Sequence, residues 1–151
     1  MQATAELKHT KLPVLKTVLP GPVAQQVVAH DAQYISPSYT RPYPLVIKRA
    51  KGAMIEDVDG NIFLDFNAGV AVCSTGHAHP HVVEAIKAQA EKVLFYSNLV
   101  YSEIRAKVSE KLVSVAPENI TKAFFCNSGT EANENAMRMA RFATGREKVI
   151  T

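Results

Sequence analysis

In a chain of 151 residues, 17 lysines and arginines against 14 aspartates and glutamates leave a net charge of only +3, and no basic run is long enough to follow a nucleic-acid backbone. A content of 47% hydrophobic and 21% charged residues is that of a soluble globular protein, and the N-terminus, where Lys8, Lys11 and Lys16 mix with Pro13 and Pro20, has no apolar stretch suited to a signal peptide or membrane span. Two cysteines, Cys73 and Cys126, each in an apolar run and outside any Cys-x-x-Cys pattern, argue against a disulfide framework or a cysteine zinc site and fit a reducing cytoplasm.

Residues 1–20 show no clear period and are expected to form an arm that folds only by lying on something else. After the punctuation of Leu19-Pro20-Gly21-Pro22, the spacing of Val23, Val27, Val28 and Ala32 predicts a short helix to about Tyr34, with Pro22 in its first turn. Residues 36–44 hold three prolines in nine positions and should run extended. Their Tyr39, Arg41 and Tyr43 either line a pocket or anchor the segment, the second being the commoner role. Three strand-like runs follow at 45–49, 53–58 and 61–66, separated by Lys51-Gly52 and Asp59-Gly60, which predicts an antiparallel meander with a tight Asp-Gly hairpin. Residues 68–77 are small, apolar and flanked by glycine, and read as a buried loop.

His77, His79 and His81 alternate, as metal ligands on an extended chain would, but Pro80 suits the first residue of a helix and would turn His81 away. The helical stripe Val82, Val83, Ile86, Ala90, Val93 and Leu94 supports a scaffold helix there. After a break at 96–101, a second stripe through Ile104, Val108, Leu112, Val113 and Val115 ends at Ala116-Pro117. The apolar run at 122–126 and the segment 147–151 read as two parallel strands joined by a helix, a βαβ unit whose sheet faces need more chain to cover them.

The turn between the first of these strands and its helix is where a functional site is expected. Ser128 followed three residues later by Glu131 is a capping box, which needs no ligand. Gly129 and Thr130 are not required by a cap, and a helix N-terminus at the carboxyl end of a parallel strand suits an anion. The residues by themselves leave both readings open. A nucleotide P-loop pattern is absent, and Ser128 lacks the flanking glycines of a nucleophile elbow.

Asn127-Ser128-Gly129-Thr130-Glu131-Ala132-Asn133-Glu134 closely resembles the phosphate-binding segment of class III aminotransferases, pyridoxal-phosphate enzymes of fold type I. The resemblance extends to Asp57-Val58-Asp59-Gly60-Asn61, Leu64-Asp65-Phe66, Gly69-Val70-Ala71-Val72, Gly76-His77-Ala78-His79-Pro80 and Ser97-Asn98-Leu99, in family order. It implies an α/β fold: an N-terminal arm, short helix and meander over residues 1–75, then the truncated beginning of a mostly parallel, cofactor-binding large domain over 76–151. It further implies that Ser128, Gly129 and Thr130 hold the 5′-phosphate of pyridoxal phosphate. Val70 and Asn98 would border a substrate pocket built by both subunits of a homodimer. The Schiff-base lysine and the aspartate that pairs with the pyridinium nitrogen lie well downstream in the family, so no catalytic residue is expected among these 151. The expected activity of the whole protein is transfer of an amino group from an ω-amino acid, 4-aminobutyrate-like or acetylornithine-like, to 2-oxoglutarate. The alternatives are an amino-acid racemase or epimerase of the same family and a non-catalytic binding or dimerisation fragment.

Overall fold

The computed structural model describes residues 13–148 and 150. In chain order its elements are α1 Pro22–Tyr34, β1 Ile47–Lys51, β2 Met54–Asp57, β3 Ile62–Leu64, α2 Ala68–Ala71, α3 Pro80–Ala90, α4 Glu103–Val115 and α5 Gly129–Thr144. They form two compact units, Met1–Leu94 and Phe95–Thr151. The expected domain boundary at 75/76 falls inside the first of these units.

The first unit is built on the predicted meander, an antiparallel sheet in the order β1-β2-β3. Lys51 pairs with Met54 across Gly52-Ala53, where Gly52 takes the positive φ that a two-residue loop demands. The second turn differs in detail from the tight hairpin expected. Gly60 has φ 81° and its N–H donates to Asp57 O, while Asp57 N–H donates to Asn61 O, so three residues close the loop with a single left-handed glycine. Central strand β2 holds Ile55, Glu56 and Asp57 in buried positions. Glu56 is engaged there by two hydrogen bonds that its Oε2 accepts from Arg49 Nε and Nη2 at 2.8 and 2.6 Å.

Asn61, fully buried, joins three parts of this unit. Its Oδ1 accepts from the N–H groups of Lys16 and Thr17, and its Nδ2 donates to Thr17 Oγ1 and Asp57 Oδ2. One residue on, Ile62 exchanges both backbone hydrogen bonds with Val14, so the described part of the N-terminal arm lies along β3. Residues 1–12 of that arm lie outside the described residues. Asp59, from the same loop, caps α1 from a distance: its two oxygens accept from Val23 and Ala24 N–H at 2.9 Å each. The residue at the cap position itself, Gly21, has no side chain to do this, and a Cβ there would collide with the Asp59 carboxylate.

Residues 36–44 contain no helix or strand, as expected. Arg41 anchors them through an ion pair with Asp31 at 2.6 Å, while Tyr39 and Tyr43 stay exposed. The expected buried loop at 68–77 is instead led by the short helix α2, and Val70 and Val72 are exposed. Small apolar composition suggested burial, but consecutive positive φ angles at Ala68, Gly69, Val70 and Ala71 wind the segment into a left-handed turn that carries Val70 outward.

In the second unit both predicted helices form. Ser102 caps α4 by accepting from Arg105 N–H, and α5 ends at Gly145, whose φ of 67° lets its N–H reach Arg141 O. The two expected strands do not form among the described residues: 122–126 and the described part of 147–151 have no ladder, Phe124 is largely exposed, and Ala132, Ala136 and Ala140 have no sheet to lie against. Val149 and Thr151 lie outside the described residues. The physical reason is that such strands draw stability from hydrogen-bonded neighbours and from burial of both faces. Sheet pairing among the described residues is confined to the meander and to isolated bridges in the first unit.

Asp59→Ala in the whole protein is expected to destabilise α1 by about 1 kcal/mol, the usual effect of losing an N-cap. Amide exchange at Val23 and Ala24 checks it. Gly21→Ala, which displaces the same carboxylate, should accelerate the same two amides.

Candidate functional site

The turn ahead of α5 forms the cap that Ser128 and Glu131 predict. Ser128 stands at the N-cap with extended backbone, φ −149° and ψ 161°, and its Oγ accepts the Glu131 N–H at 3.2 Å. Glu131 answers with Oε2, which accepts from Asn127 N–H at 2.8 Å and Asn127 Nδ2 at 3.0 Å. The reciprocal bond thus lands one residue earlier than in the usual capping box, on Asn127 and not on Ser128. Asn135 braces the turn from the helix side, donating to Glu131 O at 2.9 Å and lying 3.8 Å from Cys126 Sγ.

What the cap leaves over defines the site. Among the described residues no acceptor is placed on the N–H groups of Gly129 and Thr130, and the Ser128 hydroxyl, used as an acceptor by Glu131, retains its proton for donation. A Cβ built on Gly129 would meet nothing within 4 Å, so no contact within this chain calls for glycine there. Room in front of the helix, two free N–H groups, two hydroxyls and the positive end of a 16-residue helix together fit a phosphate.

Val70 is the exposed tip of the left-handed turn in the first unit. For a β-branched residue, φ 61° and ψ 53° is a strained conformation, costing on the order of 1–2 kcal/mol per non-glycine residue. The turn is held by Asn67, whose Oδ1 accepts from Val70 N–H, and by Asp65, whose Oδ1 accepts from Asn67 and Ala68 N–H at 2.8 and 2.9 Å. Asp65 Oδ2 lies 2.6 Å from His77 Nε2. With Asp65 ionised the ring nitrogen is the donor. The His77 hydrogen bond first, then those from Ala68 and Asn67, hold the Asp65 carboxyl below the ordinary aspartate range. Sequence reasoning had no signal for this pair, because twelve residues and a left-handed turn separate its members.

Asn98 is exposed in the second unit, next to a turn in which Ser97 Oγ accepts from Leu99 N–H. No hydrogen bond among the described residues links Asn98 to residues 128–130. Pro80 opens α3 as predicted, His77 is engaged by Asp65, and no group of three side chains that could hold a metal ion occurs among the described residues. An open depression of about 530 Å³ between α4 and residues 121–123 is lined by Ser109, Val113 and Lys122, among others, and does not include the capped turn.

The chain is similar to the solved structure of taurine:2-oxoglutarate aminotransferase from Bifidobacterium kashiwanohense, in complex with pyridoxal phosphate and glutamate, with a TM-score of 0.75 and 33% identity over 83% of this chain and 29% of that one. It is also similar to N-acetylornithine aminotransferase from Stenotrophomonas maltophilia, with a TM-score of 0.68 and 36% identity over 80% and 32% of the two chains. The fold is therefore part of the fold type I aminotransferase architecture. Residues 34–151 match the aminotransferase class-III family, and the chain belongs to that family. Among curated relatives, acetylornithine aminotransferase from Methanosarcina mazei is 46% identical over 124 residues, covering 82% of this chain and 31% of the relative. An alanine/serine racemase from Pyrococcus horikoshii is 40% identical over 134 residues, covering 87% and 28%. The chain thus spans about three-tenths of the length of the relatives it matches.

Two outcomes test the geometry directly. Carbon NMR titration of the Asp65 carboxyl should give a midpoint more acidic than that of ordinary aspartates, and His77→Ala should move it upward. Because the folded-state value is depressed, the stabilisation Asp65 gives the turn is complete above the unfolded-state value and is lost as pH falls through the folded one, in the acid range below ordinary aspartate titration.

Proposed function

We propose that the whole protein is a pyridoxal-phosphate-dependent aminotransferase that moves the ω-amino group of an ornithine derivative to 2-oxoglutarate, and that the Ser128–Thr130 turn anchors the cofactor phosphate. The observation that carries the reading is the capped turn itself: a cap complete without Gly129 and Thr130, whose N–H groups remain free in front of an open glycine. The acetylornithine aminotransferase relatives and the aminotransferase structures support the choice of reaction.

When bound, the cofactor supplies an electron sink for the carbon that bears the amino group. The residues of this chain contribute binding and orientation. Gly129 and Thr130 N–H, with the Ser128 and Thr130 hydroxyls, donate toward the phosphate, and the α5 dipole favours its charge. Glu131 stays turned away because Asn127 occupies its Oε2, which keeps a carboxylate from competing for the same donors. Val70 and Asn98 border the donor, in a homodimer whose two subunits both contribute to the pocket.

A racemase is the second reading, favoured by the Pyrococcus horikoshii relative. Purified whole protein should show visible absorbance from bound cofactor and form glutamate from 2-oxoglutarate when given N-acetylornithine. Scrambling of one pure amino-acid enantiomer without any keto acid would select the racemase instead, and a colourless protein that takes up no cofactor would remove both. Thr130→Val is expected to weaken cofactor retention about tenfold, the loss of one hydrogen bond to a charged group, with the melting temperature of the apoprotein unchanged. Gly129→Ala separates the cap from the site: with space for the methyl it should leave the apoprotein as stable or up to about 1 kcal/mol more so, while lowering cofactor affinity.

A further inference from the structure

We infer that Asp65 and His77 are a positioning pair that fixes the left-handed turn Ala68–Ala71 and so sets how the Val70 side chain meets the methylene chain of the amino donor. The inference rests on the aminotransferase reading above for what Val70 meets. The contrast between base and tip supports it first. The Asp65 and His77 side chains are only 7% and 20% exposed, whereas Val70 is 84% exposed. A half-buried polar brace beneath an exposed apolar tip suits a side chain that is offered to a ligand.

Connectivity supports it next. Asp65 divides its oxygens: Oδ1 receives the two N–H groups that open the turn, and Oδ2 receives His77 from the far end of the loop. His77 is itself fixed to the meander, since its backbone N–H and carbonyl exchange hydrogen bonds with Gly52 at 2.8 and 2.9 Å. Gly76 sits so close to Gly52 that a Cβ would lie 3.1 Å from its Cα. Entry and exit of the loop are therefore tied to one another and to the sheet. Residues 68 to 71 all need left-handed backbone, which alanine and valine avoid when unrestrained, so the turn depends on that tie.

Neither residue touches substrate, so the pair acts on donor affinity through Val70 and not on the chemical step. In the whole enzyme, His77→Gln and Asp65→Ala should each raise KM for N-acetylornithine about tenfold with kcat within about threefold, and leave bound cofactor per subunit unchanged. Amide exchange at Val70 and Ala71 should accelerate at least about tenfold in both variants, a readout independent of activity. Asp65→Asn, which keeps an oxygen for the two N–H groups and can donate to a neutral His77 ring, should restore most of both effects. Unchanged exchange at Val70 and Ala71, or a fall in kcat with KM unaltered, would overturn the inference. If the wild-type protein binds no cofactor, the aminotransferase reading fails. The exchange measurement then still decides whether the pair holds the turn, and unchanged donor binding by calorimetry would end its proposed role at Val70.

Discussion

The buried amide of Asn61 is the interaction on which the first unit depends. Among the described residues only Ala24 and Ile55 are buried hydrophobic side chains, so apolar burial, at about 1.5–3 kcal/mol for a full-sized side chain, cannot hold arm, helix and sheet together alone. Asn61 has both ends of its amide engaged, with two backbone N–H groups on Oδ1 and Thr17 and Asp57 on Nδ2. Each such bond contributes only about 1 kcal/mol net, yet an orphaned buried partner costs about 1–3 kcal/mol, so the network is much harder to break than to do without. Asp57 closes the same loop by accepting from Asp59 and Asn61 N–H, and Asp59 reaches from it to α1. One hairpin loop thereby specifies where three chain segments lie.

The meander passes this order on to the loop that carries Val70. β3 ends at Leu64, the next residue is Asp65, and its N–H is tied to Ala53 O in the β1–β2 turn. The neighbouring Gly52 in that turn holds His77. The strained turn is thus suspended between two points of one small sheet. A short sheet with a sparse apolar core can do this because its polar contacts are local and nearly all satisfied: no buried side-chain nitrogen or oxygen lacks a partner among the described residues.

Elements governed by local periodicity were legible in the sequence. Pro22 and Pro80 open helices because a missing N–H costs nothing in a first turn, the alternation in 61–66 gives a strand, and Gly145 ends α5. Elements that depend on partners were not. The apolar run at 122–126 has the composition of a buried parallel strand, yet composition supplies no neighbour and the run has no strand partner among the described residues. The segment 68–77 looked buried because its residues are small and apolar. Its conformation is decided by side chains outside it, Asp65 and Asn67 at one end and His77 at the other, which no window of periodicity connects. In the candidate site the cap was legible from Ser128 and Glu131, whereas the role of Asn127 as the acceptor's partner emerged only from geometry.

Capping and anion binding are usually weighed as rivals at a helix start, but the cap of α5 uses only part of the donors there. An α-helix exposes four N–H groups at its N-terminus. Ser128 Oγ takes that of Glu131, and those of Gly129 and Thr130 have no acceptor among the described residues. A cap built from Asp would have placed a full negative charge at that opening, whereas serine is neutral and keeps a proton to donate. The one carboxylate in the first turn, Glu131, is held on Asn127 by two hydrogen bonds. The cap therefore orders the backbone before any ligand arrives, which would reduce the ordering cost of binding the anion we propose there. The residues that make a bland cap sufficient for the helix would also preorganise the anion site we propose there.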